Sequence, residues 1–263
     1  MRNAPALSRL VAPMIAAGIL VAGCGQPPLA RTADAGAPAP AAVAAESTNA
    51  GSVYRNPASG RNEVVVPDIA RTAVLIGDSQ SEPVSSWPRR ALASLGYQVH
   101  FCGRGGTGFA TSNGSTGNYA DALQRGDWLL PYGSPPLVLI EGGGNDASRG
   151  ATDQQITANA ERLIASVRQR YPEARLAMVG TLARGAADGG GRRTEVDALL
   201  GTVAAKHSMV FVGVGDWLTR HHLTGLMADG VHMAPAGHAA LGVLLARQLR
   251  DLGVTEPAPV PVR

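Results

Sequence analysis

Five short apolar runs recur along this chain: TAVLIG (72–77), YQVHFC (97–102), PLVLIE (136–141), RLAMVG (175–180) and SMVFVG (208–213). Most are nearly continuous in apolar residues, as strands covered on both faces are. Longer, helix-like stretches separate them. In TDQQITANAERLIASVRQRYP, Ile156, Ala160, Leu163, Ile164 and Val167 fall on one stripe of a helix. The last stretch, APAGHAALGVLLARQLRDLG, reads as a helix with a glycine stop at Gly253. Strands joined by crossover helices predict an α/β fold with three layers, α/β/α, around an open five-stranded parallel sheet. Ligands of such sheets bind beyond the carboxyl ends of the strands.

Four segments at those ends carry the chemistry. After the first run, Gly77-Asp78-Ser79 sits where a strand gives way to an expected helix. There Ser79 suits an N-cap as well as a nucleophile. After the second run comes GRGGTG (103–108), whose Gly103, Gly105 and Gly108 fit the dinucleotide pattern G-x-G-x-x-G. That pattern belongs to a first strand and opens directly into a helix. Here it follows the second strand and leads into FATSNGSTG, and Asp127, the acid at about the right distance, ends no strand. After the third run, EGGGNDAS offers Asn145 either as a turn residue or as an amide aimed at a developing oxyanion. Before the last helix, ADGVHMAPAGH places Asp229 three residues ahead of His232. A serine nucleophile needs an imidazole to take its proton, and the imidazole needs a carboxylate to fix its tautomer. The same spacing also suits an ordinary surface turn.

Taken in order, GDSQ (77–80), GRGGTG (103–108), GGND (143–146) and DGVH (229–232) resemble the four blocks of the SGNH (GDSL-type) hydrolases. The resemblance implies a flavodoxin-like sheet and Ser79 as nucleophile with His232 and Asp229 completing a triad. It also implies an oxyanion hole from Ser79, Gly108 and Asn145, with Gly105 the alternative glycine. One place departs from the pattern: the second block often begins with Asn, and here Gly103 stands there. The implied activity is hydrolysis of carboxylic esters; few large apolar residues can be placed at the site from the sequence, which favours short acyl or acetyl groups. Transfer or removal of acyl groups on envelope polysaccharide is the alternative, and a non-catalytic ligand-binding lipoprotein is the rival of another class.

The ends of the chain point to export. Arg2 and Arg9 precede the apolar LVAPMIAAGILVA (10–22), and VAGC then ends at Cys24. This resembles a bacterial lipobox, which implies cleavage before Cys24, its lipidation, and anchoring on the outer face of the cell membrane. The apolar run is short of the roughly 20 residues that span a bilayer. The expected organisation is a signal peptide over 1–23, the lipidated cysteine and an Ala/Pro-rich tether over 24–69, the catalytic domain over 70–253, and a disordered Pro-rich tail over 254–263. The only other cysteine, Cys102, then has no partner and packs as a small apolar residue.

Composition narrows the partners. The formal charge of +3 falls to +1 once Arg2 and Arg9 leave with residues 1–23, and the chain has only eleven aromatic residues. No basic run is interleaved with aromatics, so no nucleic acid is expected. His221 and His222 are adjacent and lack the spacing of metal ligands, so no metal or other cofactor is expected. His238 falls inside the last helix and reads as structural. LARGAADGGGRR (182–193) is the expected mobile lip, and its arginines are read as solvated rather than as attractors of an anionic substrate. The expected partners are a small-molecule or glycan ester and, through Cys24, a membrane; the protein is expected to be a monomer.

Overall fold

The computed structural model describes residues 50–257, so the expected signal peptide, Cys24 and most of the expected tether lie outside the described residues. A hairpin of β1 (Val53–Asn56) and β2 (Arg61–Val64) comes first. Then follow β3 (Thr72–Gly77), α1 (Trp87–Ser94), β4 (Gln98–Gly103), α2 (Tyr119–Arg125), β5 (Leu137–Glu141), α3 (Gly144–Ser148) and α4 (Asp153–Arg170). The chain continues with β6 (Arg175–Val179), α5 (Gly191–Lys206), β7 (Val210–Val212), α6 (Trp217–Arg220) and α7 (Pro235–Asp251). Strands β3 to β7 form one five-stranded sheet in the order β4-β3-β5-β6-β7, parallel throughout.

Successive side chains of a strand point to opposite faces, and both faces are covered. In β3, Ala73 and Leu75 join one core with Trp87 and Leu92 of α1 and Leu241 and Leu245 of α7. Val74 and Ile76 join the other, with Tyr119 of α2, Leu163 of α4 and Leu200 of α5. The result is the expected three-layer α/β/α arrangement. The stripe on α4 is the expected one, with Ile156, Ala160, Leu163, Ile164 and Val167 all buried. Its start is fixed by a capping box, in which Thr152 Oγ1 accepts from the Gln155 N–H and Gln155 Oε1 accepts from the Thr152 N–H. Cys102 is buried as a free thiol, and burial pushes its pKa up, consistent with a packing role.

Two expectations at the domain ends are corrected. The tether does not reach residue 69, because 53–64 form a hairpin with Val53 opposite Val64. Val64 N–H donates to the Leu130 carbonyl at 3.0 Å, and Tyr132 N–H donates to the Val64 carbonyl at 2.8 Å. Buried Glu63 receives Arg170 through Nε at 2.5 Å and Nη2 at 2.6 Å. At the other end, Val254 belongs to the core and Tyr97 Oη donates to the Thr255 carbonyl at 2.7 Å. The first residues of the expected disordered tail are therefore packed; 258–263 lie outside the described residues.

Candidate active site

Strand β3 ends at Gly77 and delivers Asp78 and Ser79 to the carboxyl edge of the sheet. The expected helix does not start there. Residues 78–82 form a turn in which the Ser81 and Glu82 N–H groups donate to the Asp78 carbonyl at 3.0 and 2.9 Å. Asp78 Oδ1 accepts from the Gln80 N–H at 2.9 Å, which makes the carboxylate the organiser of the turn. Helix α1 begins only at Trp87, so Ser79 has no helix N-terminus beneath it. Ser79 itself is half-buried, at the rim.

The segment before α7 brings the other two residues across. His232 Nε2 lies 3.0 Å from Ser79 Oγ, and His232 Nδ1 lies 2.9 Å from Asp229 Oδ2. Asp229 Oδ1 accepts from the backbone N–H groups of Val231 and His232, each at 2.6 Å. Those two N–H groups and the imidazole hold the Asp229 carboxyl down to about 2, the backbone N–H of His232 contributing most. An ionised carboxylate only accepts, so Nδ1 carries the ring proton and the Nε2 lone pair faces the Ser79 hydroxyl. Gln80 completes the join: its Nε2 donates to the Val231 carbonyl at 2.8 Å, and its Oε1 accepts from the Trp87 indole at 3.4 Å. The sequence reading missed Gln80, although it stands beside the serine in GDSQ.

Asn145 is in the first turn of α3, and its Nδ2 donates to Asp78 Oδ2 at 3.1 Å and to the Thr107 carbonyl at 2.9 Å. In the glycine loop the two candidate donors, Gly108 and Gly105, have different partners. Gly108 N–H donates to the Thr111 carbonyl at 2.9 Å, and a Cβ at 108 would sit 2.4 Å from the Asp146 carboxylate. The glycine against the serine is Gly105, where a Cβ would lie 3.4 Å from Ser79 Cβ. Its N–H donates to Glu82 Oε2 at 2.8 Å, and Glu82 Oε1 pairs with Arg104 at 3.2 Å. At Gly103 a Cβ would fall 1.9 Å from the Gly77 carbonyl, so the asparagine common at that place does not fit this backbone. Asp146 braces the loop instead, accepting from Phe109 and Ala110 N–H at 2.9 and 2.8 Å. No helix follows the loop until Tyr119, which leaves the dinucleotide pattern without the helix start it requires.

Three buried carboxylates, Asp78, Glu141 and Asp146, stand behind the serine. Burial pushes Asp78 up to about 6, against the opposing pull of the Gln80 N–H, Arg193 and Asn145. Burial and the Asp78 charge drive Glu141 well above the usual carboxylate range. Its Oε2 accepts from Ser81 Oγ at 2.7 Å. Burial lowers the Arg193 guanidinium pKa, against the opposing charges of Asp78 and Glu141, and its Nε donates to the Leu182 carbonyl at 3.0 Å. The expected lip over 182–193 is thus partly helix, since α5 starts at Gly191. A carboxylate ending an otherwise apolar run, as Glu141 does, is the sequence signal for this cluster.

The remaining histidines lie elsewhere. His238 Nδ1 accepts from the Trp87 N–H at 3.3 Å. His221 stacks edge-on to Trp217 at 5.4 Å between ring centroids. Among the described residues no group of three or more His, Cys, Asp or Glu is placed to hold a metal ion.

Comparison with known proteins adds to this geometry. The model of the GDSL-like lipase/acylhydrolase family matches residues 71–240. No curated protein matches the sequence. Among solved structures, the lipase/acylhydrolase from Enterococcus faecalis is 22% identical at a TM-score of 0.54, over 72% of this chain and 100% of that one. A family two carbohydrate esterase from Cellvibrio japonicus is 17% identical at a TM-score of 0.54, over 73% of this chain and 64% of that one. A family two carbohydrate esterase from Clostridium thermocellum, in complex with cellohexaose, is 20% identical at a TM-score of 0.51, over 73% of this chain and 68% of that one. At these identities the likeness is one of fold.

Proposed function

Because this chain belongs to the GDSL-like lipase/acylhydrolase family and is an SGNH-type serine ester hydrolase, we propose that Ser79, His232 and Asp229 are its catalytic triad, acting on acetyl or short acyl esters. The observation that carries this is the continuous contact from Ser79 Oγ to His232 Nε2 at 3.0 Å and from His232 Nδ1 to Asp229 at 2.9 Å. His232 takes the Ser79 proton as Oγ attacks the ester carbonyl, and Asp229 stabilises the imidazolium that forms. The proton then passes to the leaving alcohol, and water repeats the cycle to release the acid.

The carbonyl oxygen becomes an oxyanion and needs donors. The Ser79 N–H makes no hydrogen bond among the described residues. Asn145 supplies a second donor by giving up its longer contact, to Asp78. For the third we assign Gly105 rather than Gly108. The Gly105 N–H is held by a half-buried side chain that a rotamer change moves aside, whereas the Gly108 N–H is bonded to backbone.

The family two carbohydrate esterases of the same fold, one of them holding cellohexaose, support a glycan as the alcohol part of the ester. A fluorophosphonate probe is expected to label the protein, and Ser79→Ala to abolish that labelling. Labelling that persists in the variant removes Ser79 from the mechanism. A series of p-nitrophenyl esters is expected to show turnover falling as the acyl chain lengthens. Lipidation at Cys24 is part of the same proposal; palmitate incorporation lost in Cys24→Ser is the test.

A further inference from the structure

A cavity of about 210 Å³ opens beside the imidazole segment. Gly230 and Val231, the two residues between Asp229 and His232, form one wall, and Leu182, Leu218 and Met227 give it an apolar lining. Arg184 and Arg193 are the charged residues lining it.

The arginines of this segment have different partners. Arg192 pairs with Asp153 at 2.6 Å and Glu195 at 3.3 Å. Arg193 donates to two backbone carbonyls, through Nε to Leu182 at 3.0 Å and through Nη1 to Gly144 at 3.4 Å. Arg184 is exposed and, among the described residues, makes neither an ion pair nor a side-chain hydrogen bond. One guanidinium without a partner therefore stands at a small cavity whose wall is the segment that carries the general base.

The chemistry gives the cavity a side of the substrate. The leaving oxygen receives its proton from His232 Nε2, so the alcohol part of the ester lies on the imidazole side. The carbonyl oxygen points away, to Ser79 and Asn145. We infer that this cavity receives the alcohol portion of the ester and that Arg184 selects alcohols bearing a carboxylate, such as the sugar acids of an acidic glycan. This rests on the ester-hydrolase reading of Ser79 and His232. A single guanidinium matches one negative charge, which favours a carboxylate over a phosphate dianion, and its planar fork matches the two carboxylate oxygens. In the step itself the Ser79 Oγ–acyl bond forms, the acyl–alcohol bond breaks, and the alcohol leaves with the proton that His232 took from Ser79.

The test compares 3-acetoxybenzoate with 3-acetoxybenzamide, which share the acyl group and shape and differ in charge. The wild-type kcat/KM is expected to favour the benzoate by about twofold to fivefold, the order of one exposed ion pair. That preference is expected to shrink in high salt and to fall to a ratio near one in Arg184→Gln. A wild-type ratio near one, or a ratio unchanged in Arg184→Gln, overturns the inference while leaving the esterase reading in place. A wild-type protein that cleaves neither these esters nor p-nitrophenyl acetate overturns both.

Discussion

Gln80 Nε2 donates to the Val231 carbonyl at 2.8 Å, binding the residue after the serine to the residue before the imidazole across 151 positions of sequence. Segments that arrive from opposite ends of the domain are thereby held at one separation. The Ser79–His232 contact of 3.0 Å lies one residue from each end of that bond.

Removing that join is expected to cost alignment rather than fold. Gln80→Ala should lower kcat by about tenfold to a hundredfold, the order that a displacement near 1 Å produces, with a much smaller change in KM. Steady-state kinetics alongside a thermal melt check this. A variant as active as the wild type would show that the turn and the imidazole segment hold their places without Gln80.

Asp229 is expected to act on the tautomer of His232, not as a group that titrates during turnover. Its carboxyl lies at about 2, so no limb of the kcat/KM profile between pH 4 and 9 belongs to it. Asp229→Asn should lower kcat by about 10³–10⁴, the order known for an amide at this place in a triad. The sign for stability follows from the depressed value: Asp229 contributes above its unfolded pKa, and the contribution is lost as pH falls from about 4 toward 2. Melts of wild type and Asp229→Asn across that range should converge at the acid end.

Asn145→Ala is expected to slow ester hydrolysis by about 10²–10³, the usual effect of removing one oxyanion donor, with KM little changed. A crystal structure of a phosphonate adduct on Ser79 would test the donors directly. In it the Glu82 carboxylate should have left the Gly105 N–H, now directed at the phosphonyl oxygen, while Gly108 remains bonded to Thr111. Retention of the 2.8 Å Glu82 contact in the adduct would exclude Gly105.

The hairpin is expected to be structural. Glu63 is buried, and Arg170 retains only 16% side-chain exposure. Glu63→Ala strands a largely buried guanidinium, which costs about 3–5 kcal/mol. A lower midpoint in urea checks this, and an unchanged midpoint would return residues 53–64 to the status of a tether.

The sequence determined the layers. The five apolar runs became the five parallel strands, and the stripe from Ile156 to Val167 became the buried face of α4, because backbone periodicity writes burial directly into residue order. The family blocks put forward Ser79, Asp229, His232 and Asn145 as candidates, and packing places Ser79, His232 and Asp229 in contact. Tertiary structure decided what depends on partners distant in the chain. β1 and β2 lack an apolar run, and they are held by Glu63 and Arg170, which stand 107 positions apart. Ser79 lies in a turn organised by Asp78 rather than at a helix start, with Gly105 packed against it. Of the neighbouring arginines, Arg193 is tied to the Leu182 and Gly144 carbonyls and Arg184 stays exposed. Local pattern fixes which face of an element is buried; which side chains meet at the rim is set only when the elements pack.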